Sequence, residues 1–223
     1  MVDCLLKIGG SIFEQPQKLK NLCKALSRFS KSYNIVITPG GSRFADLVRD
    51  ADAKFHLDKV TSHKMAILAV DQYGFLLSNL IPKSTVTYDI SEAVKPRKSP
   101  VIFLPSKVMF QENPLEASWN VTSDSIAAYI AHLTKAEKLI LAKDVDGIFT
   151  EDPKKSGKTI LIREMSAEEL KKAKYSCVDS YLPGLLLKLK LNCYIVNGNF
   201  PSRIWSILEG KLVKCSKITA VKL

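Results

Sequence analysis

A short apolar run that ends in two glycines occurs twice near the amino terminus. The first run is Leu5–Ile8, followed by Gly9-Gly10-Ser11, and the second is 34–38, followed by Gly40-Gly41. A helical pattern that begins at Pro16 separates them. A strand, helix, strand succession of this length predicts a parallel, right-handed crossover, which places both glycine turns at the carboxyl edge of one sheet. The sequence therefore predicts two anion cradles that face one crevice.

Lys7 is the only charged residue in the first apolar run. A charge in a buried strand is costly unless it leaves the carboxyl end of the strand toward an anion. The two glycines after it allow positive φ and a close approach of the backbone to a ligand. We therefore interpret Lys7, Gly9, Gly10 and Ser11 as a phosphate cradle. The alternative, an edge-strand lysine and an ordinary turn, stays open on these residues alone because short glycine motifs recur by chance.

The rest of the chain continues to alternate between helix and strand patterns. Residues 58–80 carry a long helical pattern, which suits either a core helix or a dimer helix. Residues 105–118 lack clear periodicity, which favours a loop or hairpin over a site. A helix is expected over 185–191 and a last strand near 218–221. The alternation predicts the α/β class: a three-layer αβα sandwich with a mostly parallel central sheet.

The charge balance favours anionic partners. The chain has 33 Lys and Arg against 22 Asp and Glu, a formal net charge of +11. The two local basic runs, 94–98 and 154–158, contain no interleaved aromatic residues, so a nucleic-acid partner is not predicted. General lysine richness of the surface is an alternative explanation of the charge.

The cysteines and the hydropathy pattern indicate a reduced compartment. The five cysteines form no C-x-x-C pair and no cluster with histidine, which argues against a zinc site and a disulfide framework. No apolar run approaches the roughly 20 residues that span a bilayer. We therefore expect a cytoplasmic protein without a membrane partner.

A short stretch in the second half imitates a nucleotide-binding loop. Ser156-Gly157-Lys158-Thr159 resembles the end of a Walker A sequence, but Asp152 stands where that sequence needs its first glycine. No buried strand precedes the turn. We expect the lysines of the basic run 154–158 to lie in a loop at the mouth of a nucleotide site.

Polar residues gather before a helix of small residues, 125–131. Asn120, Thr122 and Asp124 lie in this stretch, directly after Trp119. Such a cluster suits either a bound anion at a helix amino terminus or a helix cap.

Five motifs in order along nearly the whole chain resemble the amino acid kinase family. They are Lys7-x-Gly9-Gly10-Ser11, Gly40-Gly41, Asn120-Val121-Thr122-Ser123-Asp124, Asp146-Gly147-Ile148-Phe149 with Asp152-Pro153, and Gly184-x-x-x-Lys188. The resemblance implies an ATP-dependent kinase that uses Mg²⁺. It also implies an acceptor and dimer lobe over 1–135, an ATP-binding lobe over 136–223, and assembly into a homodimer or higher homo-oligomer.

The resemblance further implies roles for individual residues. Lys7 and Lys188 would hold the transferring phosphoryl group from two sides, and Asp124 would keep both lysines in place. These three are the predicted catalytic residues, and no residue of the chain is predicted to bind a metal directly. The predicted ATP-binding residues are Lys7, Gly9, Gly10, Ser11, Lys143, Asp144, Asp146, Gly147, Phe149, Asp152 and Lys188. The predicted acceptor-binding residues are Gly40, Gly41, Arg43, Asn120 and Thr122.

The acceptor is expected to be a small phosphomonoester, which the reaction would convert to a diphosphate. Thr122 stands where relatives that act on acetylglutamate carry asparagine, and Arg43 suits phosphate. The pattern over 119–128 most resembles the methanofuran-biosynthesis branch of the family, which phosphorylates aminomethylfuran-methyl phosphate. Met109, Phe110 and Trp119 suit either packing on a flat ring or plain core.

Other functions stay possible on the sequence alone. Isopentenyl phosphate kinases carry a histidine soon after the second glycine loop, which this chain lacks; His56 and His63 lie farther on and are expected at the surface or an interface. The alternatives are a uridylate or isopentenyl phosphate kinase-like enzyme and a non-catalytic protein of the same fold that binds ATP and oxyanions.

Overall fold

The computed structural model describes residues 1–153, 155, 159–173 and 176–220. The helices are α1 (Pro16–Phe29), α2 (Ser42–Phe55), α3 (Lys59–Leu80), α4 (Ile90–Ala93), α5 (Ser106–Glu112), α6 (Ser123–Leu133), α7 (Ala167–Lys172), α8 (Leu182–Leu189) and α9 (Pro201–Leu208). The strands are β1 (Cys4–Ile8), β2 (Ile35–Pro39), β3 (Thr85–Thr87), β4 (Val101–Phe103), β5 (Lys138–Lys143), β6 (Ile148–Phe149), β7 (Leu161–Ile162), β8 (Glu164–Ser166), β9 (Cys193–Asn197) and β10 (Ser216–Thr219).

The main sheet has eight strands in the order β3-β4-β2-β1-β5-β9-β10-β8. Its pairs are parallel except for β9 with β10. Alternate residues of the central strands enter two different hydrophobic cores: Leu5 lies in one core, and Leu6 and Ile8 lie in the other. Because helices cover both faces, β1 and β2 are buried along their whole length. The predicted three-layer fold with a mostly parallel sheet is confirmed.

The helix over Lys59–Leu80 is continuous. Asp58 caps it by accepting hydrogen bonds from the backbone N–H groups of Val60 and Thr61 at 2.9 and 3.0 Å. Its inner face contributes Tyr73 and Leu77 to the core, whereas Val60, Leu68 and Phe75 are exposed apolar side chains. One face of the helix therefore packs in the core, and its other face exposes apolar side chains in the single chain.

Two segments differ from the sequence-based expectation. Residues 105–118 were expected to be a loop or hairpin, but they contain α5, which places Met109 in the core and leaves Phe110 exposed. Seven residues are too few to show a helical period in a sequence. Helix α8 begins at Leu182 rather than 185, because Pro183 is well suited to the first turn of a helix.

The central sheet runs across the predicted boundary between the lobes. Strand β1 belongs to the predicted acceptor lobe, yet it pairs along its whole length with β5 of the predicted ATP lobe. The division of labour between the lobes stays a prediction. The Walker-like stretch at 156–158 lies outside the described residues. Within the described ranges, no helix combines the length and apolar character needed to cross a membrane.

Candidate active site

Both glycine turns lie at the carboxyl edge of the sheet, as the sequence predicts. The N–H of Gly40 donates to the carbonyl of Ile8 at 2.9 Å, and the N–H of Gly9 donates to the carbonyl of Ala142 at 2.7 Å. Three neighbouring strand ends, from β1, β2 and β5, therefore meet in one place. The carboxyl edge of a parallel sheet is where α/β proteins bind their ligands.

The glycines of the first turn are required for space. Gly9 and Gly10 do not have positive φ, so that part of the expectation was wrong. A Cβ on Gly9 would lie 2.7 Å from the carbonyl oxygen of Ala142, and a Cβ on Gly10 would lie 2.5 Å from the amide nitrogen of Ser42. Both distances are too short for real atoms, so a side chain on Gly9 would push the turn away from β5 and one on Gly10 would push it away from the second glycine turn.

Two lysines share one buried carboxylate at this edge. The Lys7 ammonium donates to Oδ1 of Asp124 at 2.9 Å, and the Lys143 ammonium donates to Oδ2 at 2.6 Å. Lys7 comes from β1, Lys143 ends the adjacent strand β5, and Asp124 lies in the first turn of α6. The Asp124 side chain is 3% exposed, so neither of its ion pairs is screened by bulk water.

The charges of this cluster set its pKa values. Burial alone would raise the pKa of Asp124, but the charges and hydrogen bonds of Lys143 and Lys7 outweigh it and hold that pKa below its ordinary value. Burial lowers the pKa of Lys7 more than Asp124 restores it. For Lys143 burial is again the largest single effect and lowers the pKa, but Asp124, Cys177 and Asp179 together outweigh it and raise that pKa. Two cations therefore meet at the single carboxylate of Asp124, and the buried carboxylate of Asp179 acts on both of them from nearby. Two fixed ammonium groups at the carboxyl edge of the sheet suit an anionic ligand.

The second partner of Asp124 differs from the prediction. The resemblance assigned that place to Lys188, but the structure has Lys143 there. Lys188 lies in the last turn of α8 with an exposed side chain and, among the described residues, makes no salt bridge to Asp124. The side chain of Lys143 reaches the carboxylate because its strand lies directly beside that of Lys7.

Asp179 organises the helix start that carries Asp124, and the sequence analysis missed it. Its carboxylate accepts hydrogen bonds from the backbone and hydroxyl groups of Thr122 and Ser125 at 2.6 to 3.0 Å, and from the backbone of Leu182 at 2.8 Å. Burial, with a smaller contribution from the charge of Asp124, raises its pKa. No capping pattern in the sequence points to it, because Asp179 lies two positions before Tyr181, the residue that directly precedes α8.

Most of the predicted ATP-binding residues lie after β1, β5 and β6, whereas Lys188 lies apart from them in α8. Ser11 donates to Asp144 at 2.8 Å, which joins the first glycine turn to the segment after β5. Asp146 forms ion pairs with Arg203 and Lys214 and accepts a hydrogen bond from Asn197. These three partners were not anticipated.

The other predicted ATP-binding residues of this segment differ in how deeply they are buried. Gly147 is buried against Ser216, where a Cβ would lie 2.3 Å from the Ser216 hydroxyl. Phe149 and Asp152 are partly exposed.

Two of the predicted acceptor-binding side chains already have protein partners. Arg43 is exposed and forms two hydrogen bonds of 2.7 Å with Glu14. The Thr122 hydroxyl donates to Asp179 at 2.8 Å, and Asn120 is exposed. Of the side chains predicted to bind the acceptor phosphate, neither Arg43 nor Thr122 is therefore unpaired in this structure.

A cavity of about 240 Å³ opens beside the second glycine turn. Gly41, Ser42, Thr122 and Ser123 contribute its polar end. The remaining walls come from α2, α3, the segment before α6 and α6 itself, and are formed by Ala45, Asp46, Arg49, His63, Ala66, Ile67, Val70, Trp119, Val121 and Ile126. His63 was expected at the surface or an interface, but it is half-buried in this wall. Met109 and Phe110 do not line the cavity.

Comparison with known proteins shows the family and the fold of the chain. Residues 4–193 match the model of the amino acid kinase family. The chain is 37% identical over 97% of its length to the [5-(aminomethyl)furan-3-yl]methyl phosphate kinase of Methanocaldococcus jannaschii, and the match covers 98% of that protein. It is 24% identical to the uridylate kinase of Methanosarcina barkeri, over 96% of this chain and 95% of that one. The uridylate kinase structure from Archaeoglobus fulgidus has the same fold, with a TM-score of 0.76, 20% identity and coverage of 98% and 100%.

Proposed function

Because the chain belongs to the amino acid kinase family, we propose that it transfers a phosphoryl group from ATP to a small phosphomonoester and releases a diphosphate. The observation that carries this proposal is the pair Lys7 and Lys143 on the single carboxylate of Asp124. Phosphoryl transfer needs alignment and neutralisation of charge on the transferring group more than it needs covalent chemistry from the protein. Two fixed cations beside two glycine turns supply both.

The proposed roles follow from position. Lys7 and Lys143 hold the equatorial oxygens of the transferring group, and Asp124 fixes the distance between their ammonium groups. The backbone N–H groups of the first glycine turn bind the donor phosphates. The acceptor is already an anion, so the reaction needs no residue to remove a proton from it.

The proposed ATP site extends from the first glycine turn toward β6. Gly9, Gly10 and Ser11 would contact the phosphates, and the segment from Asp144 to Asp152 would line the nucleoside pocket. Mg²⁺ is usually held by substrate phosphates with one or two carboxylates, and the Asp144 carboxylate beside Ser11 fits that requirement. This proposal departs from the expectation that no residue of the chain binds a metal directly. When bound, the ion would neutralise phosphate charge.

The acceptor that the observations favour is [5-(aminomethyl)furan-3-yl]methyl phosphate. A relative that shares 37% of its residues with this chain has that activity by name. The cavity of about 240 Å³ is smaller than the 300 to 1,000 Å³ typical of drug-sized ligand sites, and so suits a single ring with a phosphate. The uridylate kinases that match at 24% identity or less motivate the second candidate, uridine monophosphate.

A turnover assay with a panel of acceptors tests the proposal. Purified protein with ATP and Mg²⁺ is expected to form ADP with the furan phosphate at a kcat/KM at least about 100-fold above that for uridine monophosphate or isopentenyl phosphate, a ratio within the range that pocket fit can produce. ADP release without acceptor is subtracted as the blank. ATP binding without transfer to any panel member would instead support a binding protein of the same fold.

The affinity for ATP is expected to fall at alkaline pH. The pKa of Lys7 is lowered by burial in the free protein, and a bound phosphate would raise it again. ATP binding therefore takes up a proton once the pH passes the lowered pKa, and affinity decreases as the pH rises further. Calorimetric titration with ATP from neutral to alkaline pH measures this decrease. Lys7→Arg is the control, because a guanidinium stays charged over the whole range; an equal alkaline decrease in that variant would contradict the assignment.

Homo-oligomerisation stays a proposal that the surface of α2 and α3 supports. Leu47, Phe55, Val60, Leu68 and Phe75 on these helices are large apolar side chains that are at least 45% exposed. Apolar groups gathered on neighbouring helices favour contact with a second copy of the chain.

A further inference from the structure

The indole of Trp119 is held rigidly from two sides. Its Nε1–H donates to Oδ2 of Asp52 at 2.6 Å, and the guanidinium carbon of Arg49 lies 4.1 Å from the ring centroid. Arg49 and Asp52 are three positions apart in α2, so they lie on the same face of that helix. A side chain bonded at its edge and stacked on its face has little freedom to move aside.

Trp119 separates two spaces. On one side is the cavity of about 240 Å³ that begins at Gly41 and Ser42. On the other is a second cavity of about 110 Å³, lined by Asp52, Leu57 and Lys59. Trp119 and His63 line both cavities. Loss of the indole would therefore remove the largest side chain of the wall that the two cavities share, whose other members are His63, Ala66 and Val121.

The polar end of the larger cavity fixes which part of an acceptor faces Trp119. Gly41 and Ser42 belong to the second glycine turn, and Thr122 and Ser123 stand at the amino terminus of α6, an eleven-residue helix. The N–H groups of Thr122 and Ser125 at this terminus already bond to Asp179. The second glycine turn is therefore the part of this end that suits the acceptor phosphate, because the buried Ser42 hydroxyl has no hydrogen-bond partner among the described residues. The remainder of the molecule then extends toward Trp119.

We propose that Trp119, positioned by Asp52 and Arg49, is the wall that limits the acceptor to a phosphomonoester carrying one small ring. This inference rests on the proposed function and adds the residue that sets its specificity. Trp119 contacts the acceptor, whereas Asp52 acts through Trp119 as a positioning residue. Arg49 and Asp52 belong to the same continuous segment as the second glycine turn, since α2 begins directly after Gly41. The wall is therefore in a fixed position relative to the phosphate.

The test compares kcat/KM for the furan phosphate with that for uridine monophosphate. Trp119→Ala is expected to change their ratio by about 10- to 100-fold in favour of the larger acceptor, which is the discrimination that fit in a pocket usually provides. Trp119→Phe keeps a ring and is expected to change the ratio less. The matched control is Trp205→Ala, which removes the other tryptophan, a residue that packs on Phe29 and Tyr33 away from the cavity.

Variants of Asp52 test the positioning role. Asp52→Leu removes the acceptor of the indole hydrogen bond and is expected to shift the ratio in the same direction as Trp119→Ala. Asp52→Asn keeps an oxygen that can accept this bond and should restore the original ratio. A purely structural role of Asp52 would leave the ratio unchanged in both variants.

The outcomes separate the two proposals. If the unmodified protein turns over no phosphomonoester, the proposed function fails. If it turns over the furan phosphate but the ratio is unchanged in folded Trp119→Ala and Asp52→Leu proteins, the wall is wrongly assigned. If Trp119→Ala does not fold, the ratio of kcat/KM values is measured instead in Trp119→Phe, Asp52→Leu and Asp52→Asn, and an unchanged ratio in all three would contradict the assignment of the wall.

Discussion

Asp124→Asn is expected to lower kcat by about 100- to 1,000-fold, the range seen when one charge-stabilising group is removed from an active site. The amide keeps the shape of the carboxylate but can accept from only one lysine, and its NH₂ group faces the other ammonium. Lys7 and Lys143 would then repel each other without compensation in a buried site. Steady-state kinetics, together with ATP affinity from calorimetry, measures the effect.

The test compares the loss of kcat with the loss of ATP affinity in Asp124→Asn. Because the lysines matter most when charge develops on the transferring group, we expect ATP affinity to fall by less than about tenfold. Equal losses in kcat and affinity would indicate that Asp124 mainly supports the helix start. Asp89→Asn is a matched control, since Asp89 also accepts a backbone hydrogen bond at a helix start but caps the short, separate helix α4. Circular dichroism of each variant checks that it is folded.

Lys143→Met is expected to lower kcat by about 100-fold, whereas Lys188→Met should change it by less than about fivefold. Methionine keeps most of the length of the lysine stem but removes the charge that occupies Oδ2 of Asp124. Lys188 is the matched control because it is the competing assignment, is exposed, and lies in a neighbouring element. Single-turnover measurements with saturating ATP distinguish an effect on transfer from one on product release.

The opposite result would be equally informative. A large loss in Lys188→Met with a small loss in Lys143→Met would mean that the ligand-bound protein uses the lysine implied by the family resemblance. Asp124 would then exchange partners when ATP binds.

The sequence was sufficient for the fold because its signals are local. Apolar runs, glycine turns and Pro16 predicted the first strand, helix, strand unit, and the structure confirms its parallel arrangement. The membership of the amino acid kinase family, predicted from five ordered motifs, is confirmed by the comparisons. Helix α5 was missed because it is too short to display a period.

The site was predicted less completely, because partner choice depends on distant residues. Asp179 meets Thr122 and Ser125 from more than 50 positions away, and Arg43 meets Glu14 from 29 positions away. Only the fold brings such pairs together. The exchange of Lys188 for Lys143 beside Asp124 likewise depends on the direction of a side chain at the end of β5, which residue spacing does not determine.

The pairing of β1 with β5 has a consequence for how the protein loses its active site when it unfolds. Lys7 of β1 pairs with Leu141 of β5, and Lys143 ends β5 two positions after Leu141. The spacing of the two cations is therefore set by backbone hydrogen bonds at the centre of the sheet. Central strands of this kind open only in the costliest, near-global unfolding events, whereas loops open in frequent local ones. Fluctuations of the surrounding loops can thus admit and release ligands while the pair of charges at the centre keeps its geometry.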